Sequence, residues 1–320
     1  MTRKDIRELR VYATYPAITI VLPCDIERIQ RVFLDVTKKI DNKELVAGIT
    51  ERLKELLTTL TCPLQTYSVA VFVHKHCARI YIIPGQVPQI VACDTFFKLD
   101  ALVQYLNRMQ QYWVVDYTTE EPVLCAGFDD ACIDVVASVV QVTSPADPFH
   151  ENFEKSFDQM LSKYLDESPL PLCVVGDAET TYHFTAHSEY GESCVARTAN
   201  RQEVWQVMQR WFSQQTKEVL EQVAQGKEGI QYHTAFADLH KAAHQGLIRT
   251  LLVEKSYSEQ GCQHTVTNHI KLMTACEERY DAVSAIDRVI ETVRSHGGTV
   301  LLVPDESLAQ YQHMVGLLID

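Results

Sequence analysis

No apolar run in these 320 residues approaches the roughly 20 consecutive residues that cross a bilayer. The longest, such as AITIVL and VVASVVQV, are short and rich in β-branched residues, which excludes a helical membrane span and leads us to expect buried strands. Neither G-x-x-x-x-G-K-[ST] nor G-x-G-x-x-G occurs, so the glycine-rich backbone cradle for nucleotide phosphates is missing. H-E-x-x-H and the nucleophile elbow are absent too, and no carboxylate pair stands out from the acidic background. Hydrolase chemistry has no motif to rest on, and no cofactor is expected. The segment MTRKDIRELR lacks the apolar centre of a secretory signal, from which a cytoplasmic location and reduced cysteines are expected.

Positive charge is also scarce, and unevenly so. The chain carries a net −13, yet residues 1–112 hold 15 Lys and Arg against 11 Asp and Glu, or +4. Residues 113–225 hold 6 against 19, and residues 226–320 hold 8 against 12. Contact with nucleic acid requires cations on phosphates, so any such contact is expected in the first third; the acidic remainder suits protein partners and excludes a DNA-binding role.

What is present is ample apolar residue, 46% of the chain, enough for a core in each of three units. We expect an α/β protein of three small domains, 1–112, 113–225 and 226–320, each with helices packed on a short mixed sheet, the last a helix–sheet–helix sandwich. In the first, Ala17–Pro23 reads as a strand, while Ile26, Ile29, Phe33, Val36 and Ile40, and then Leu45, Ile49, Leu53, Leu56 and Leu60, recur at helical spacing. Ser68–Val73 and Ala78–Ile83 read as a hairpin, followed by a short helix over Leu99–Met109.

In the second unit, strands are expected at Pro122–Ala126 and Ala131–Val142 about a Gly127–Asp130 turn, then a breaker-rich loop at Thr143–Pro148 and a helix carrying Phe149, Phe153, Phe157, Met160 and Tyr164. Leu172–Val175 and Thr181–Ala186 read as a further strand pair about Gly176-Asp177, and Gln202–Ala224 as a long helix. Gln225–Gly229 is the expected linker. The third unit alternates helix (Phe236, Leu239, Ala243), strand (Thr250–Val253), helix (Ile286, Val289, Val293) and strand (Thr299–Val303), which favours a parallel sheet; the polar stretch Glu254–His269 reads as a loop.

Ten cysteines form no C-x-x-C and sit mostly in apolar runs, so they read as small buried hydrophobes. His74, His76 and Cys77 are metal-ligand types close together, but a polar hairpin tip accounts for them, and no metal is expected. Asp129-Asp130 reads as a turn former in the same way.

Three stretches together resemble one family, the archaeal and eukaryotic class-I peptide-chain release factors with their relative pelota, in particular its bacterial members. SVAVFVHKHCARIYIIPGQVPQIVACDTFFKLDALVQYL resembles the first domain, with its hairpin followed by C-D-x-x-F, here Cys93, Asp94 and Phe97. LPLCVVGDAETTYHF is similar to the middle domain, and DLHKAAHQGLIRTLLVEK with VIETVRSHGGTVLLVPDE to the last. The departures bear on activity. Release factors carry Gly-Gly-Gln, which places water at the peptidyl-tRNA ester; this chain has none, and the short Thr143–Pro148 stretch stands where that loop belongs. The family's Asn-Ile-Lys-Ser is replaced by Lys38-Lys39-Ile40-Asp41-Asn42-Lys43, and Val91 stands where a tyrosine precedes Cys93 by two.

The resemblance therefore implies a non-catalytic factor that binds the ribosome in rescue, quality control or hibernation without hydrolysing peptidyl-tRNA. It implies rRNA contact through Lys38, Lys39, Asn42, Lys43, Lys75 and Arg79, beside Cys93, Asp94 and Phe97, and a translational GTPase or other protein on the third domain. The alternatives are a protein-binding scaffold outside translation, and an enzyme assembled around His74, His76 and Cys77.

Overall fold

The computed structural model describes residues 3–12, 14–59, 67–119, 121–136, 151–225, 231–264, 270–272 and 280–319. They fall into two compact units, Met1–Tyr105 and Leu106–Asp320. The first has the order α1 (Arg3–Arg10), β1 (Ala17–Pro23), α2 (Ile26–Thr37), α3 (Lys43–Thr59), β2 (Ser68–His74), β3 (Cys77–Ile83), β4 (Ile90–Asp94) and α4 (Asp100–Asn107), the last running past the division. Its four strands pair antiparallel in the order β3-β2-β1-β4.

Alternation along β1 decides the layers of this unit. Ile18, Ile20 and Leu22 face one way and are buried against Ile29 and Phe33 of α2 and Ile49 and Leu53 of α3. The opposite face holds Thr19, whose Oγ1 accepts from the Lys98 backbone N–H at 2.9 Å, and Phe72, which meets Phe97 edge-on at 5.3 Å. Asp25 starts α2 by accepting from the Arg28 N–H, and Asn42 starts α3 by accepting from the Leu45 N–H, both at 3.0 Å.

The second unit contains β5 (Gln111–Asp116), β6 (Val123–Phe128), β7 (Ala131–Val136), α5 (Glu151–Leu165), β8 (Leu172–Val175), α6 (Ala178–His187), β9 (Cys194–Thr198) and α7 (Val204–Gln225). It continues with β10 (Tyr232–His233), α8 (Phe236–His244), β11 (Ile248–Glu254), β12 (Gln260–His264), β13 (Ile270–Leu272), β14 (Tyr280–Ser284), α9 (Ala285–Ser295), β15 (Thr299–Val303) and β16 (Met314–Leu318). One sheet has the order β7-β6-β5-β8-β9, antiparallel at β5–β6 and parallel at β5–β8 and β8–β9. A second has the order β10-β16-β11-β15; β11 and β15 run parallel, as the helix–strand alternation of the last third predicts, but β16 runs antiparallel to β11 and β10, so the sheet is mixed. A third, β13-β12-β14, is small and antiparallel. Apolar residues of α7 join those of the first two sheets in one buried cluster, whereas α8 and α9 cover the other face of β11 and β15. The chain is thus an α/β protein with helices packed on several small sheets.

Four expectations require correction. Thr181–Ala186 is not a return strand: Asp177 accepts from the Thr180 N–H at 2.7 Å and caps a helix, α6, and the strand beside β8 is β9. The stretch Glu254–His269 includes a strand, β12, and is not wholly a loop. Gln111–Asp116 went unread as a strand because the expected boundary at 112 falls inside it. Reduced cysteines are found at Cys77, Cys93, Cys125, Cys132, Cys173 and Cys194, but Cys24 and Cys262 each take part in a disulfide within the chain; pairing depends on side-chain proximity, which spacing along the chain does not reveal. The loop Thr143–Pro148, residues 137–142 of the expected strand, Phe149, and the linker after Gln225 lie outside the described residues.

Candidate nucleic-acid interface

The register brings most of the expected residues to one end of the first sheet. Cys77 pairs with His74, His74 with Ala17, and Ala17 with Asp94, and this row closes that end. The Lys75-His76 turn projects from it; Arg79 sits two residues in on β3, and Cys93 one residue in on β4. Helix α2 leaves the opposite end of β1 and packs back along β1 and β4, its 12 residues spanning about 18 Å. Its C-terminus therefore returns Lys38, Lys39, Asn42 and Lys43 to the same end. Two electrostatic neighbours agree with this placement: Lys39 acts on the Cys93 thiol, and Asp41 on the Tyr15 hydroxyl.

Lys38, Lys39, Asn42, Lys43, Lys75 and Arg79 are exposed, and Cys93 and Asp94 half-buried. Asn42 has its side-chain oxygen committed to capping α3, and Lys43 opens that helix at the positive end of its dipole. Carboxylates interrupt the cationic surface: Lys38 Nζ lies 2.8 Å from Asp35 and Lys98 Nζ lies 2.8 Å from Asp94. Exposed pairs of this kind contribute only about 0–1 kcal/mol, so a phosphate can displace the carboxylate at little cost. Phe97 does not belong to this surface. It is 4% exposed, with its ring against Phe72 and Tyr12, so it packs the core and has no face to offer RNA.

Three residues that the motif reading passed over stand at the same end. Phe96 is 49% exposed, with Lys98 Nζ 4.2 Å above its ring, and Tyr15 is 50% exposed. The Tyr15 hydroxyl hydrogen-bonds Cys93, which raises the Tyr15 pKa and draws the thiol partly back from the upward push of burial. Arg52 of α3 donates to the Lys75 carbonyl and holds the hairpin tip. The doubled aromatic Phe96-Phe97 is the sequence signal for the first of these, because adjacent side chains of an extended segment point to opposite sides.

The His-Lys-His-Cys cluster resolves into a buried structural imidazole. His74 is 2% exposed; its Nδ1 accepts from the His76 N–H at 3.3 Å, so Nε2 carries the proton and donates to Thr14 Oγ1 at 2.7 Å. Burial, and then the neighbouring His76, lower its pKa. Both nitrogens are occupied, and among the described residues no three His, Cys, Asp or Glu converge as metal ligands.

In the second unit Asp129 has φ 47° at the β6–β7 turn, accepts from the Gln110 N–H at 3.0 Å and pairs with Lys255 at 3.0 Å, all in keeping with a turn former. Asp116, fully buried at the end of β5, accepts from Thr118 at 2.6 Å and faces Arg201 at 3.4 Å; Arg201 also reaches Asp134 at 2.5 Å. Among the described residues no helix is long and apolar enough to cross a membrane.

No family model and no curated protein matches the sequence. Solved structures similar to the chain include the archaeal translation termination factor aRF1, at 14% identity over 100% of this chain and 99% of that one, with a TM-score of 0.26. The S. cerevisiae protein Dom34, described as a translation termination-like factor involved in RNA quality control pathways and interacting with Hbs1, is 13% identical over 79% of each chain, with a TM-score of 0.36. Archaeoglobus fulgidus Pelota is 14% identical over 79% of this chain and 78% of that one, with a TM-score of 0.25. Such scores leave the whole chains poorly superposed.

Proposed function

We propose that this chain binds the ribosome in the manner of release factors and pelota, in rescue, quality control or hibernation, and does so without hydrolysing peptidyl-tRNA. The observation that carries the reading is the gathering of Lys38, Lys39, Lys43, Lys75 and Arg79 at one end of the first sheet from three separate stretches of sequence. Among the described residues, Lys39, Lys43, Lys75 and Arg79 have no carboxylate within ion-pair distance, and phosphate contacts need such exposed cations. The missing Gly-Gly-Gln removes the group that would position the attacking water. By the sequence resemblance, residues 226–320 hold a translational GTPase or another protein. A scaffold of the same fold outside translation is the second reading, favoured by the acidity of the chain beyond residue 112.

Cosedimentation with ribosomes through a sucrose gradient, at low and high salt, is the test. The wild-type protein is expected in the ribosome fractions at low salt and released at high salt. The triple variant Lys38→Gln, Lys39→Gln, Lys43→Gln is expected to bind more weakly, with the slope of log K against log salt reduced by about 2. Wild-type protein that stays at the top of the low-salt gradient, while an affinity pull-down recovers protein without rRNA, refutes the ribosome reading in favour of the scaffold.

A further inference from the structure

A cleft in the second unit, between α8 and β13, has no part in the cationic end of the first sheet. It encloses about 900 Å³, the size of a site for a drug-sized molecule. Phe236, His240 and His244 recur at four-residue spacing and present one face of α8 to it, with Ala237 and Lys241 alongside. Across from them stand Ile270 and Leu272 of β13, with Tyr257. Depth sorts these groups: Met314 (1% exposed), Ile270 (4%) and His240 (8%) form the floor, whereas Lys241 and His244 are exposed at the mouth. Phe236 stacks on the His240 ring at 5.7 Å, and the Nε2 atoms of His240 and His244 are 3.1 Å apart, one of them necessarily donating to the other.

The charge of the cleft runs against that of its surroundings. From Leu106 to Asp320 the chain has 31 Asp and Glu against 15 Lys and Arg, yet the described lining includes Lys241 and two imidazoles and no carboxylate. Apolar walls with a lysine and an imidazole at the mouth and no carboxylate in the described lining suit a ligand that supplies both the apolar body and the anion. We infer that the cleft binds a small organic carboxylate: an aromatic or branched apolar body against Phe236, Tyr257, Ile270 and Met314, its carboxylate at Lys241 and His244. This inference stands independently of the ribosome reading.

Titration calorimetry of the full chain with naphthoate and with its uncharged amide tests it. Naphthoate is expected to saturate at one site and to bind about tenfold more tightly than the amide, because its contact with Lys241 is charge-assisted. Lys241→Gln with His244→Gln is expected to bring naphthoate down to the level of the amide and to leave the amide unchanged. Ala237→Trp, which fills the cleft from an exposed helix position, is expected to abolish both without altering the far-UV circular dichroism. The inference is overturned if naphthoate does not saturate, if the amide binds equally well, or if the polar double variant binds naphthoate as the wild type does.

Discussion

The two units put their charged side chains to different use. Through Tyr105 the chain has 14 Lys and Arg against 11 Asp and Glu, and its ion pairs include near neighbours in sequence at the surface, Lys38–Asp35, Lys54–Glu51 and Lys98–Asp94. From Leu106 onward the chain is far more acidic, yet several of its cations are drawn inward: Arg201 to the buried Asp116, and Arg108 to the buried Asp287 at 3.3 Å. Arg294, 3% exposed, donates to Asn107 at 3.2 Å. Net charge alone would rank the two by partner. The contacts teach more: Lys38, Lys39, Lys43, Lys75 and Arg79 of the first unit are left at the surface, where a polyanion can reach them, while in the second three arginines are drawn onto buried polar groups.

The largest expected effect breaks the comparison at the core. Phe33 is 1% exposed between α2 and the first sheet, so Phe33→Ala is expected to cost about 3–5 kcal/mol. All three tryptophans, Trp113, Trp205 and Trp211, lie in the second unit, so their fluorescence reports that unit alone. In urea, Phe33→Ala is expected to shift the far-UV circular dichroism midpoint to lower denaturant and to leave the fluorescence midpoint in place. A joint shift would mean that the units unfold as one body.

The converse variant is Arg201→Met, which leaves Asp116 buried without its guanidinium. A fully buried pair broken in this way costs about 3–5 kcal/mol, but a third of the Arg201 side chain is exposed and Thr118 still donates to Asp116, so about 2 kcal/mol is expected. Here the fluorescence midpoint is expected to move. An unchanged midpoint would show that Arg201 is as dispensable as a surface cation.

The same contrast explains what could be read from sequence. In the first unit, strands with a clean alternation and helices with three- and four-residue spacing face a single core, so β1, the β2–β3 hairpin and α2 were legible from residue type alone. In the second, TYHFTA has the β-branched and aromatic content of a strand, yet the Asp177 cap and tertiary packing make it helical, with Phe184 buried and Tyr182 exposed. The true neighbour of β8, CVART, looks less like a strand. The polar QGCQH of β12 gave no signal, because a small sheet can pair through its backbone without an apolar stripe. Lys38, Lys39 and Lys43 were found by motif position, while Phe96 needed the register that brings the segment after β4 to the same end of the sheet, and Arg52 its contact with the hairpin tip.

The smallest effect is expected from pH, and it sharpens the comparison because it belongs to the first unit. His74 is held neutral by burial and by the neighbouring His76, whose N–H occupies its Nδ1, and its pKa lies below its ordinary value of 6.5. Between the folded and unfolded values the unfolded chain binds more protons. The contribution is therefore fully present above 6.5 and is lost as pH falls through the folded value. His74→Gln keeps a donor for Thr14 and removes the titration. Wild-type protein is expected to lose more of its far-UV midpoint than this variant between about pH 7 and 5, with no such difference in the tryptophan transition. Equal losses in both proteins would mean that His74 accepts a second proton without disturbing its pocket, and the buried neutral imidazole would have to be given up.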